Sequence, residues 1–486
     1  MDIKALETQF RGEISTPGSP YYDASRRIWN AMIDRRPAAI AHCTGPADVS
    51  AAVRFSVEQD IYPAIHGGGH NAAGLAMVDD GLVIDVSRMK GIFVDRADQT
   101  ATAQTGLTWG EFDRETQLYG LATTGGLIST TGIAGLTLGG GVGWLMGRSG
   151  LVCDNTLAYD VVLASGELIR ASSNEHADLF WALKGGGGNF GVVTSITYRM
   201  YPITTVISGM VLHPLADARD VLRFYRDFTM AGLPDELIVY AAALTTPDGH
   251  PVLALIPVWC GDDPAEGERV LEPLRQFGSP IVDLIRSMPY QAVQQMIDGV
   301  APFGLRSYWK SRFLRNLPDD AIDTFLRFAE SRTSPRTLAI LEHAHGAVSR
   351  VGDDTTPFPA RDAAFDFVLI SMWENPAEDA VHVDWTRQFY SAMQPGRRES
   401  CMSTPWIRMT WHVFPKLTAR IMRDCARSKR PTIQRTAFAV TRIFSRILGL
   451  LRSKTMSVAS SLTQPRNCLL KFCNGRSFDF AALRSG

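Results

Sequence analysis

Three glycine-rich stretches between Ile65 and Val192 hold the residues best suited to chemistry. They read Ile65-His66-Gly67-Gly68-Gly69-His70-Asn71, then Gly132-Ile133-Ala134-Gly135-Leu136-Thr137-Leu138-Gly139-Gly140-Gly141-Val142-Gly143, then Gly185-Gly186-Gly187-Gly188-Asn189-Phe190-Gly191-Val192. Lacking a Cβ, glycine lets backbone N–H groups approach an anion and lets the chain take positive φ. Three such stretches in one region predict a backbone cradle for a long, doubly phosphorylated ligand. A second loaded segment lies downstream, Ser307-Tyr308-Trp309-Lys310-Ser311. An ammonium beside a phenol favours the phenolate, which would make Tyr308 a base next to Lys310. The equal alternative is that Tyr308 and Trp309 pack in a core while Lys310 is solvated.

Two other chemistries fail on context. The run Gly186-Gly187-Gly188-Asn189-Phe190-Gly191 matches GxGxxG. A dinucleotide fingerprint needs a strand before it and a helix after it, and here the pattern predicts the reverse order. His66 and His70 could ligate a metal, but no third ligand is apparent and their loop is not helical, so no metal site is assigned.

The elements that must position these residues follow from periodicity. Residues 38–42 read as a short buried strand, Pro46-Ala47-Asp48 opens a helix through Glu58, and residues 61–65 read as a strand delivering His66. Residues 82–86 read as a buried strand and 101–105 as a half-buried one. Residues 159–170 read as a hairpin turning at Gly166, and 192–201 as a strand ended by Pro202. Beyond it, strand-like runs at 206–212, 237–244, 252–259 and 367–373 alternate with helical stretches such as 216–228. That pattern predicts an antiparallel sheet covered by helices. Residues 1–35 read as a leading helical segment with a turn at Pro17-Gly18-Ser19-Pro20.

In order and spacing, the three stretches resemble the FAD-binding domain shared by vanillyl-alcohol-oxidase-type (PCMH-type) and berberine-bridge-enzyme-like flavoproteins. The 6-hydroxy-D-nicotine oxidase type is the most similar. The resemblance implies an α+β fold, with a two-subdomain FAD module followed by an α+β substrate domain carrying an antiparallel sheet. It implies that the Gly67-Gly68-Gly69 loop wraps the pyrophosphate of FAD and that His70 bonds covalently to the flavin 8α-methyl. Such a link raises the flavin's potential and favours hydride removal from an unactivated C–H. Asn71, Gly125, Gly135, Gly140, Gly141, Gly188, Asn189, Gly191 and Val192 are the further cofactor residues it implies.

Many members tether the flavin a second time through a cysteine upstream of the second stretch. Residues 124–132 contain none, and Cys153 lies too far downstream, so a single covalent link is expected, or a dissociable flavin if His70 stays unreacted. Relatives carry an aromatic-Trp-Lys sequence like that at Tyr308 and Lys310, which makes those two the implied catalytic residues. Residues 348–358 also resemble the family, though without added chemistry. The implied activity is hydride transfer from a small-molecule C–H to flavin N5, with dioxygen or another acceptor reoxidising the flavin.

The expected division is an N-terminal segment (1–35), an FAD-binding domain (36–204), a substrate domain (205–395) and an atypical basic tail (396–486). The chain has 486 residues, 45% hydrophobic and 20% charged, an ordinary globular composition long enough for several cores. Residues 1–12 lack an apolar stretch, and no run of about 18 apolar residues occurs, so neither a signal peptide nor a membrane span is expected. Seven cysteines without CxxC spacing favour a reducing, cytoplasmic setting. No nucleic-acid or membrane partner is expected.

The net charge of −1 hides an asymmetry: residues 397–486 hold 18 Lys and Arg against 3 Asp and Glu, and four of the seven cysteines. The family's closing motifs are absent from that stretch. Read one base earlier, codons for residues 417–429 accommodate Tyr-Gly-Glu-Asn-Tyr-Glu-Arg-Leu-Arg-Glu-Val-Lys, and neighbouring segments yield further family motifs in order. A frameshift near residues 395–399 accounts together for the charge jump, the cysteines and the lost ending. The alternatives are an inactive or unstable remnant, or a basic tail with an amphipathic helix at 438–454 that binds membrane or nucleic acid.

Overall fold

The computed structural model describes residues 1–352 and 354–394. The basic tail, its proposed frameshift and its candidate helix at 438–454 lie outside the described residues.

The first sheet has strands β1 (Glu13–Ser15), β2 (Ala39–His42), β3 (Ala64–His66) and β4 (Leu82–Asp85) in the order β1-β2-β4-β3. β2, β3 and β4 run parallel, and β2 and β4 are buried along their whole length. A strand buried on both faces reads as a continuous apolar run, which is how Leu82-Val83-Ile84 reads. Helix α1 (Pro46–Glu58) makes the crossover between β2 and β3, with Pro46 in its first turn. Asp48 fastens its start by accepting bonds from the Thr44 and Arg11 backbone N–H groups, both at 2.9 Å.

The N-terminal segment is not wholly helical. Glu13, Ile14 and Ser15 pair antiparallel with His42, Ala41 and Ile40, so the segment supplies an edge strand to this sheet. Three residues are too few for period-2 alternation to register as a strand signal.

The second sheet is antiparallel, with β5 (Ile92–Asp95), β6 (Thr100–Gln104), β7 (Thr156–Val162), β8 (Leu168–Ser172) and β9 (Val192–Arg199) in the order β5-β6-β9-β7-β8. Helix α2 (Ile133–Leu138) lies within the second glycine stretch, and α3 (Ala177–Leu183) precedes the third. The third stretch thus lies between a helix and β9, the order that excludes a Rossmann fingerprint.

The third sheet has nine strands among the described residues. Its main path joins β10 (Val211–Pro214), β11 (Leu237–Thr245), β12 (Pro251–Trp259), β13 (Val282–Asp283), β14 (Arg306–Leu314), β15 (Leu338–His343) and β16 (Phe365–Trp373) in the order β13-β10-β12-β11-β15-β16-β14. Every pairing along that path is antiparallel. The run at 206–212 divides into Thr205–Ser208 and β10 around Gly209, whose φ is +155° and where a Cβ would collide with the Leu284 carbonyl.

Helices α4 (Ala218–Met230), α5 (Pro264–Gln276), α6 (Asp319–Glu330) and α7 (Asp379–Ala392) cover one face of this sheet. That core holds Val239 and Ala241 of β11, Leu341 of β15 and Phe367 and Leu369 of β16, packed on Tyr225, Leu271, Phe325 and Phe389 of the helices. The alternate residues, Ile238, Tyr240 and Ala242 of β11 among them, pack instead with Trp144, Leu145 and Phe358. Successive strand side chains point to opposite faces, so each strand contributes to both cores.

A buried ion pair ties the loop after β15 to the segment between the second glycine stretch and β7. Arg361 donates to both Asp154 carboxylate oxygens, at 2.7 and 2.8 Å, and the two side chains are 2% and 9% exposed. Removing one partner leaves the other buried and uncompensated. Arg361→Met should cost about 3–5 kcal/mol of unfolding free energy, read by chemical denaturation.

Candidate active site

The first glycine loop rests on a buried carboxylate. Asp85 ends β4 and stands beside His42 of β2 and His66 of β3 in the parallel ladder. His42 Nδ1 lies 2.7 Å from Asp85 Oδ2, and His66 Nδ1 lies 2.9 Å from Oδ1. Ser87 N–H also donates to Oδ1, and the Ser15 hydroxyl lies 3.0 Å from His42 Nε2. Burial alone would raise the Asp85 pKa; the bonds from His42 and His66 more than offset it and hold the carboxyl well below its usual range. Ser15, His42 and Asp85 have a hydrolytic triad's composition, yet all three are buried. They support the loop from beneath.

Beyond His66 the chain turns with Gly69 at φ +68°. Among the described residues, the backbone N–H groups of Gly67, Gly68, Gly69, His70 and Asn71 donate no hydrogen bond to the chain. Buried or half-buried N–H groups are nearly always paired, so five successive free donors mark a surface shaped for an anion. The Asn71 side chain turns inward to its own loop, its Oδ1 accepting from the Ala73 and Leu75 N–H groups at 3.1 Å each.

Gly68 and Gly132 meet backbone to backbone. A Cβ on either would collide with the main chain of the other, so the first and second stretches join with no side chain between them. This contact carries His70 to residues 130 and 131. His70 Nε2 lies 3.0 Å from Thr130 Oγ1 and Nδ1 lies 3.3 Å from Thr131 Oγ1, and the ring stacks on Trp29 at 5.6 Å. Burial without a nearby carboxylate pushes the His70 pKa down to about 4. The imidazole is therefore neutral at physiological pH and keeps a nucleophilic nitrogen.

The other predicted glycines divide in two. Gly135 has no atom within 4 Å of where a Cβ would stand, and Gly188 and Asn189 are exposed. Gly187 N–H donates to the Leu138 carbonyl at 2.8 Å, which brings the third stretch against the end of α2. These positions leave room for a ligand. Gly125, Gly140 and Gly141 are filled from within the protein, their Cβ positions taken by Trp109, Phe358 and Val152. Gly191 needs its φ of +150°, and a Cβ there would meet Val161 and Val162. Val192 is buried and pairs with Val162. For these five, packing alone explains the residue type.

Tyr308 and Lys310 are not brought to His70. Their side chains lie on the face of β14 covered by α7, where Arg387 Nε donates to the Tyr308 hydroxyl at 3.4 Å. Lys310 Nζ sits 5.6 Å from the Tyr308 ring and 5.5 Å from that of Tyr390. Trp309, between them, points the other way and packs edge-on against Trp29 at 5.5 Å. The period of two puts neighbouring strand residues on opposite faces, which separates Tyr308 and Lys310 from Trp309.

Several residues of this region carried no motif. Asn30 bridges the two parts, its amide donating to the Ala72 and Ser307 carbonyls at 2.8 and 2.9 Å. Phe358 wedges between Gly140 and Gly185 and meets Phe313 edge-on at 5.8 Å. Residues 348–358, without chemistry of their own, thus close the second and third stretches. On the same sheet face, Ser311, Val368 and Ile340 form one cross-strand row and are all partly exposed, whereas the remainder of β15 and β16 is buried. Beside them Glu342 and Asp366 stand opposite one another, both buried. Burial, with Asp366 next to it, raises the Glu342 pKa well above the carboxylate range, and burial raises that of Asp366. The available sequence signal was an acid inside an apolar run, in Ile340-Leu341-Glu342 and Phe365-Asp366-Phe367. Among the described residues no three His, Cys, Asp or Glu side chains gather as a metal set.

Residues 37–172 match the FAD binding domain family. An FAD-linked oxidoreductase of Dictyostelium discoideum is 30% identical over 388 residues, which cover 79% of this chain and 84% of that protein. The chain belongs to the FAD-linked oxidoreductases. The (R)-6-hydroxynicotine oxidase of Paenarthrobacter nicotinovorans is 28% identical over 396 residues, 77% of this chain and 82% of that protein. The crystal structure of 6-hydroxy-D-nicotine oxidase from Arthrobacter nicotinovorans superposes with a TM-score of 0.75 at 24% identity, covering 89% of this chain and 95% of that one. The α+β, PCMH-type fold and an FAD-dependent oxidase or dehydrogenase activity follow from these likenesses. The free N–H groups of the first loop, the space at Gly135 and the neutral His70 fit FAD.

The Gly68–Gly132 contact tests this assignment. Gly68→Ala in the FAD-linked oxidoreductase should push the loop off Gly132. Purified protein should then lose flavin, read as the absorbance ratio of flavin to protein, while far-ultraviolet circular dichroism stays unchanged.

Proposed function

We propose that the protein removes hydride from a C–H bond of a small molecule, with FAD held by residues 67–71, 135 and 187–189 and linked through His70 alone. The row of free N–H groups leading directly into a neutral histidine carries the reading. FAD, when bound, supplies the hydride acceptor at N5, and dioxygen or another acceptor restores it. His70 would hold the isoalloxazine end, with Thr130 and Thr131 setting its ring orientation. Trp29 and Trp309 wall that end, and the partly open row of Ser311, Val368 and Ile340 offers a floor for substrate.

The division at residues 204 and 205 is part of this proposal. The first two sheets would hold the cofactor and the third would face the substrate, with Asn30 joining the cofactor loop to the third sheet. Tyr308 and Lys310 receive no catalytic role, because their side chains turn toward α7. A single link is supported by residues 124–132, where Thr130 and Thr131 stand against His70 and no thiol is present. Cys43, Cys153 and Cys260 are free and buried, which supports a reducing, cytoplasmic setting. Among the described residues, no helix is long and apolar enough to cross a membrane.

The parent protein should be yellow, with flavin fluorescence that stays on the protein band after SDS denaturation. His70→Ala should abolish the band fluorescence and leave any retained flavin extractable. Fluorescence surviving in that variant would place the link elsewhere. Because the folded pKa of His70 lies below the ordinary value of about 6.5, the imidazole stays neutral through that range. Attachment of FAD to apoprotein should therefore proceed at a level rate down to about pH 5 and fall as pH approaches about 4. A rate falling with a midpoint near the ordinary value of about 6.5 would contradict the lowered His70 pKa.

A further inference from the structure

We infer that Glu342 and Asp366 form the anchoring end of the substrate pocket and that they receive the protonated amine of a cationic substrate. The inference rests on the reading above that this sheet face is the substrate side.

The two acids lie in register on neighbouring antiparallel strands, and their row continues to Phe313 on one side and Tyr240 on the other. Directly opposed strand residues have Cβ atoms about 4.5–5.5 Å apart, so the two carboxyl groups can share one ligand. Their face is set by neighbours of the same parity: Ile340 and Leu338 on β15, and Val368, Ile370 and Met372 on β16, all pack with Trp29 and Trp309. The helix-covered face takes the alternate residues, Leu341, Phe365 and Phe367. The adjoining row of Ser311, Val368 and Ile340 is the partly open one, so the acids stand at the edge of an accessible surface.

Neither acid has a protein counter-charge among the described residues. Asp366 Oδ1 is buried with no hydrogen-bond partner, and no Lys or Arg among the described residues acts electrostatically on either carboxyl. Ionised carboxylates buried together are costly unless a cation joins them or they share a proton. An ammonium brings the missing charge and three N–H donors, enough to serve both carboxyl groups at once. A neutral hydroxyl brings one donor and no charge. Aromatic rings flank the acids: Phe313, and Tyr240 with Trp144 packed on it at 5.2 Å. Rings of this kind favour a cation over a neutral group of equal size.

The test is calorimetric titration of the full-length protein with benzylamine and with benzyl alcohol, nearly isosteric and differing in charge at neutral pH. Benzylamine should bind at least about tenfold tighter, equivalent to about 1.4 kcal/mol. Glu342→Gln and Asp366→Asn, which keep volume, should each weaken benzylamine by about tenfold and change benzyl alcohol less than about twofold. Equal binding of the two ligands by the parent protein would overturn the inference, whatever the variants do. So would variants, folded by circular dichroism, that weaken both ligands alike or neither. Flavin absorbance of the same samples keeps the two readings apart. Colourless protein that prefers the amine would retain the anchor and remove the cofactor assignment; yellow protein without the preference would do the reverse.

Discussion

The rest of the site depends on two backbones touching. Gly68 and Gly132 approach so closely that neither tolerates a Cβ, and this sets the spacing between the loop after β3 and the loop before α2. From that spacing follow the position of His70 against Thr130 and Thr131 and its stack on Trp29. The contact would mean little if the first loop could drift. Asp85 prevents this from below by holding His66 at the loop's start and His42 beside it. A buried carboxylate bonded by two imidazoles and a backbone N–H is over-determined, so its strand end is rigid. The free N–H groups above it are thereby pre-organised for an anion, and ligand binding need not order them.

The large sheet divides the labour through its pleat. One face packs against four helices and supplies much of the hydrophobic core. The other packs with Trp29, Trp144 and Phe358, and hydrogen bonds from Asn30 to Ser307 and from Tyr240 to Gly143 tie it to the first half of the chain. A shift of one residue along β14 would exchange Trp309 for Tyr308 or Lys310 on the face that meets Trp29. The aromatic-Trp-Lys motif thus sends Tyr308 and Lys310 to one face of β14 and Trp309 to the other. The cation–ring cluster of Tyr308, Lys310, Arg387 and Tyr390 instead couples β14 to α7.

Much of the fold was legible because it rests on local signals. The β2-α1-β3 passage, the hairpin at Gly166 and the strands read at 237–244 and 252–259, each one residue longer in the structure, follow from periodicity and turn residues. The edge strand at Glu13–Ser15 was not, because three residues carry no usable period and their order comes from pairing with β2. Gly209 was missed for a related reason: a single glycine in a strand-like run shows its purpose only when the Leu284 carbonyl comes against it.

The sequence by itself determined the cofactor class, through three glycine stretches in a set order and a histidine directly after the first. Anion-cradling N–H groups come from consecutive residues, so chain order and residue type suffice to locate them. Tertiary structure decided which glycines leave space and which are packed shut, because that depends on side chains such as Phe358 that lie far away in the chain. It also decided which acids meet inside the large sheet. Glu342 and Asp366 are 24 positions apart and become a pair only through the register of β15 on β16. Their raised pKa values arise from burial, which no isolated strand possesses. Local backbone chemistry is written in the order of residues; cross-strand neighbours and desolvation exist only after the sheet has closed.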